Sequence, residues 1–63
     1  MSHPAKINTA IRECLDTLRP GWSPIAHLAA YLERLRADPQ WAEYEINEVD
    51  AGVRRILADL LQD

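Results

Sequence analysis

Cys14, His3 and His27 are the residues whose types most readily ligate metals or move protons, and no two of them share a helical turn. A metal site built on one element needs ligand pairs at spacings such as CxxC, HxxxH or ExxH, and none is present. Ser2 and Ser23 have no histidine at a spacing useful to a general base, and Ser23 is better used as a helix cap. Gly21 and Gly52 stand apart, so no glycine-rich loop offers backbone amides to a phosphate. Cys14 falls on an apolar stripe, where a cysteine behaves as a small hydrophobe rather than a thiolate. His27 projects roughly opposite the stripe of its own segment and is expected on the surface. The sequence therefore predicts no catalytic residue, no metal and no cofactor. It describes a protein that is not an enzyme.

Three segments with helical periodicity must position whatever else the chain does. In the first, Ile7, Ile11, Cys14 and Leu18 recur at intervals of four, three and four, and Arg19-Pro20-Gly21 stops the helix. In the second, Ser23-Pro24 supplies an N-cap and a first-position proline, and Ile25, Leu28, Leu32 and Leu35 form the stripe. Asp38-Pro39 repeats that device, and Ala42, Ile46, Val49, Val53, Ile56 and Leu60 then keep one phase to the last turn. The expectation is an all-α, single domain over residues 1–63, with helices at about 4–18, 24–36 and 39–62. That is a small three-helix bundle of two short helices and one long C-terminal helix. Asn47-Glu48-Val49-Asp50 and Gly52 allow a competing break in the third segment, against which the unbroken stripe argues. Ile11, Leu28, Leu32, Val53 and Ile56 are the expected core.

A chain of 63 residues buries too little surface for a robust core of its own. Disulfides are excluded by the single cysteine, and metals by the spacing above, so association with another chain is the reinforcement left. No apolar run is long enough to span a bilayer, and the long helix is too acidic for a membrane surface. One free cysteine and no targeting segment lead us to expect a reducing cytoplasm. Six arginines among the seven basic residues, with frequent alanine, suggest a GC-rich bacterial or phage genome.

The charges divide unevenly. Residues 1–37 carry a formal +2 and residues 38–63 carry −5, within a net charge of −3. Glu43, Glu45 and Asp50 flank the apolar seam of the third helix, where like charges oppose parallel self-pairing and favour a partner carrying arginines. Trp22 and Trp41 each lie beside a helix start. They are expected to close the ends of the bundle, with an exposed interface anchor as the other reading.

The reading that follows is a non-enzymatic protein-binding module: a small regulator, inhibitor or adaptor. It is expected to form a homodimer, or to bind another protein with a basic surface. The expected interface is Trp41, Glu43, Glu45, Ile46, Val49, Asp50, Leu57 and Leu61. The alternative is a DNA-binding transcriptional regulator using Arg54 and Arg55, because Gly52-Val53-Arg54-Arg55-Ile56-Leu57 locally resembles a helix-turn-helix recognition helix. Glu43 and Asn47 stand where that motif wants a small residue and a glycine, and Glu48 and Asp50 would repel phosphate.

Overall fold

A computed structural model of the chain describes residues 4–61, with Leu61 described for its backbone alone. Three helices follow in order: α1 (Pro4–Asp16), α2 (Pro24–Arg36) and α3 (Glu43–Leu61), with no strand among the described residues. The helices run up, down and up. Cys14 near the end of α1 meets His27 near the start of α2, while Lys6 near the start of α1 meets Glu45 in the first turn of α3. Helix α3 is the spine, packing against both of the others, which touch each other least.

Helix α1 ends two residues before the expected Leu18. Thr17 Oγ1 donates to the Glu13 carbonyl at 2.8 Å and lies 3.1 Å from the Cys14 carbonyl, so side chains take over the last carbonyls of the helix. The chain then turns at Arg19-Pro20-Gly21-Trp22, closed by the Trp22 N–H on the Arg19 carbonyl at 3.2 Å. Proline at the second position and Gly21 at φ +87° suit a type II turn. Helix α2 starts as the sequence predicts, with the Ser23 hydroxyl accepting from the Ala26 N–H at 3.3 Å and Pro24 in the first turn.

The expected start of the third helix at Pro39 is corrected to Glu43. The Asp38 carboxylate accepts from the Gln40 N–H at 2.9 Å and its carbonyl from the Trp41 N–H at 3.1 Å, which makes Asp38-Pro39 a turn. Lys6 Nζ donates to the Gln40 carbonyl at 2.7 Å and so ties this turn to α1. Helix α3 begins instead with half a capping box, the Glu45 carboxylate accepting from the Ala42 N–H at 2.9 Å. From there it is unbroken through Asn47 and Gly52. Its far end, expected at 62, lies outside the described residues.

The core comprises Ile7, Ala10 and Cys14 from α1, Leu28, Tyr31, Leu32 and Leu35 from α2, and Ile46, Val49, Val53 and Leu57 from α3. Leu28, Leu32 and Val53 are therefore in the expected core, and Ile11 packs on its edge. Ile56 is not in it. At 37% exposure it sits on the flank of α3, and Leu57 fills the place expected of it. A strict three-four repeat drifts around a straight α-helix by about 20° per heptad, which carries position 56 off the buried line.

Candidate protein-binding surface

Several charged and polar side chains turn out to hold the bundle together. Lys6 Nζ lies 3.1 and 3.2 Å from the two Glu45 carboxylate oxygens and 4.4 Å from the centre of the Trp41 ring. Glu45 is only 4% exposed, so this pair is a largely interior latch between α1, the α2–α3 loop and α3. Tyr31 donates to Glu13 at 3.2 Å across the α1–α2 boundary. Burial first, and the Glu13 charge second, push its phenol from 10 up to about 12. The buried Cys14 thiol is likewise pushed up, by burial and then by Glu13, which disfavours the reactive thiolate.

His27, expected on the open surface, is half-buried and its Nε2 is 2.9 Å from the Cys14 carbonyl and 3.0 Å from Thr17 Oγ1. It therefore satisfies a carbonyl at the end of α1 from the neighbouring helix. Trp22 is 55% exposed and tilts against the His27 ring at 5.7 Å, so it shields that contact without entering the core. Sequence alone held no sign of these long-range partners, because each pair joins different elements. His3 and Ser2 lie outside the described residues.

The expected interface residues divide sharply. Ile46, Val49 and Leu57 are buried in the chain's own core, and Glu45 is committed to Lys6. Trp41 is half-buried beneath Lys6, and Asp50 pairs with Arg54 at 2.6 Å. Glu43 remains exposed, and the Leu61 side chain lies outside what is described. The acids thus do not form one outward docking strip. For the DNA-binding expectation, Arg54 is occupied by Asp50, Arg55 shares a groove with Glu48, and continuous α3 lacks the internal turn of a helix-turn-helix.

Two further grooves run along α1 besides the one that Arg55 shares with Glu48. The one shared with α2 encloses about 570 Å³ and is lined by Lys6, Thr9, Glu13, Tyr31, Arg34 and Trp41. Its lysine and tyrosine are both held by carboxylates.

The other lies between α1 and α3. Here Ile11 and Leu15 are only partly buried and Ile56 is exposed, and the rim includes Arg12, Asp16 and Arg55. One turn beyond Ile56, Leu60 is 65% exposed. Helix α3 is 19 residues long and α1 only 13, about 28 Å against about 20 Å at 1.5 Å per residue, and Leu60 lies in the stretch where α3 outruns its neighbour. The surplus length of the third helix and its apolar positions Ile56, Leu57, Leu60 and Leu61 already point in the sequence to a surface for a second chain, whereas the share of Ile11 and Leu15 in it does not.

Comparison with protein-family models, with curated proteins and with solved structures finds no match to this chain.

Proposed function

We propose that this chain is a non-enzymatic protein-binding module, a small regulator or adaptor whose α1/α3 face docks on a second polypeptide. The observation that carries the reading is the run of Ile11, Leu15, Ile56 and Leu60, apolar side chains left partly or largely in water along one side of the bundle. Covering a large apolar side chain is worth about 1.5 to 3 kcal/mol, a substantial fraction of what so small a domain has. Arginines and aspartates around an apolar centre also match the usual layout of an interface, with a dry middle and a polar rim. Self-association is one way to cover the face, and a regulator's target protein is another.

The test is the size of the complex in which the tagged chain travels in gently lysed source cells. The wild type should elute well above its 7.2 kDa chain mass. Ile56→Glu should return it to monomer size, while Tyr44→Glu, at the opposite end of α3, should leave the complex intact. Wild-type chain running as a free monomer would overturn the reading.

A further inference from the structure

We infer that the polypeptide covering the α1/α3 face is a second copy of this chain, docked antiparallel about a two-fold axis passing near Leu15 and Ile56. The inference rests on the protein-binding reading and supplies its partner. Its basis is the register of four charges. Among the described residues Arg12, Asp16, Arg55 and Asp59 enter no ion pair, although the adjacent Arg54 does.

Helices α1 and α3 run in the same direction, with Ile11 level with Gly52. Four residues further along both, Leu15 is level with Ile56, and both line the groove. A two-fold axis normal to this face lays α3 of one copy over α1 of the other, in opposite directions. Arg55, one residue before Ile56, then faces Asp16 of the other copy, one residue after Leu15. Asp59, three residues after Ile56, faces Arg12 of the other copy, three residues before Leu15. Symmetry repeats both contacts, so four arginine–aspartate pairs surround the axis. Leu60 comes over Ile11 of the other copy, and the two Ile56–Leu15 pairs close the centre.

A parallel pairing does not do this. With α3 over α1 in the same direction, Arg55 is level with Cys14 and Asp59 with Leu18, and neither meets an opposite charge. The pattern is self-complementary only in the antiparallel sense. It also needs no basic partner: the face carries its own arginines.

Sedimentation of the purified chain with reciprocal charge swaps tests this. Wild type should sediment at about twice 7.2 kDa at micromolar concentration. Arg55→Asp puts like charges across both symmetry-related contacts, and so does Asp16→Arg, so each variant alone should self-associate roughly tenfold more weakly or worse. Mixed one to one, the two variants restore opposite charges at both contacts, and the dimer should return. Arg12→Asp with Asp59→Arg forms a second, independent pair. All four positions are exposed, and far-UV circular dichroism should report unchanged helix. Purified wild type that stays monomeric would overturn the inference while leaving the protein-binding reading standing, provided the tagged chain still travels in a complex in cells. A wild-type dimer indifferent to all four swaps, or mixtures that stay monomeric, would overturn the antiparallel face.

Discussion

Gly52 and Ile11 mark the point where α1 and α3 press together: a β-carbon at position 52 would lie 3.2 Å from Ile11 Cγ1 and would collide with Ile11 Cδ1. Glycine inside a helix costs about 1 kcal/mol relative to alanine, and here it makes room for a neighbouring helix. Gly52→Ala gains helix propensity but requires Ile11 Cδ1, the free end of a partly buried side chain beside an open groove, to rotate aside, so it should gain less than the full propensity difference. In an Ile11→Ala background the obstacle is gone, and the same change should stabilise by roughly 0.5 to 1 kcal/mol. Thermal melting of the four proteins checks this, and an equal gain in the two backgrounds would refute the account of Gly52.

Lys6 and Glu45 should be strongly coupled. Removing the lysine deprives a carboxylate that is 5% exposed of its cation, so Lys6→Met should cost about 2 to 3 kcal/mol. Lys6→Met with Glu45→Leu should recover part of that loss, because an apolar pair removes the uncompensated charge. A double-mutant cycle by denaturant unfolding measures the coupling, and a value near zero would show that the latch is ornamental.

These two relationships show how far the sequence could be read. The stripes of Ile46, Val49 and Val53 and of Leu28, Leu32 and Leu35 identified the helices, because burial on one side imposes a period that the chain displays directly. Gly52 was visible as an oddity, but its reason lay in Ile11 on another helix. Asp38-Pro39 was ambiguous for a different cause: an N-cap and an Asx turn use the same local bonds, and here the bonds to the Gln40 and Trp41 N–H groups make a turn that Lys6, 34 residues from Gln40, ties to α1. The candidate face depended on which side of α1 the core leaves open, and the partial burial of Ile11 and Leu15 is set by packing against other helices. Local pattern carried the elements, and long-range polar contacts carried their ends.

His27 should matter to stability although it lies outside the apolar stripe. His27→Ala removes the donor to the Cys14 carbonyl and should cost about 1 to 2 kcal/mol, while His27→Gln, which keeps a donor amide, should lose less. Equal melting midpoints for wild type and His27→Ala would contradict its capping role.

Tyr31 gives the fold an alkaline limit. Its phenol is raised from 10 to about 12 in the folded chain, so folding favours the protonated form. That contribution is fully present below about pH 10 and is lost as pH rises towards 12; two units correspond to about 2 to 3 kcal/mol. Melting midpoints should fall steeply across this interval in the wild type. Tyr31→Phe should start lower at neutral pH, lacking the bond to Glu13, and fall less steeply between pH 10 and 12. Parallel pH profiles for the two proteins would contradict the assignment.

The central claim is that the α1/α3 face is covered by another polypeptide, and a photo-crosslinking side chain placed at position 56 in living source cells tests it most directly. The account predicts a protein adduct from position 56 and none from position 30, an exposed alanine on α2. An adduct of twice the chain mass identifies a second copy, and a different mass identifies another partner. Absence of any adduct at position 56, or equal adducts from both positions, would contradict the account.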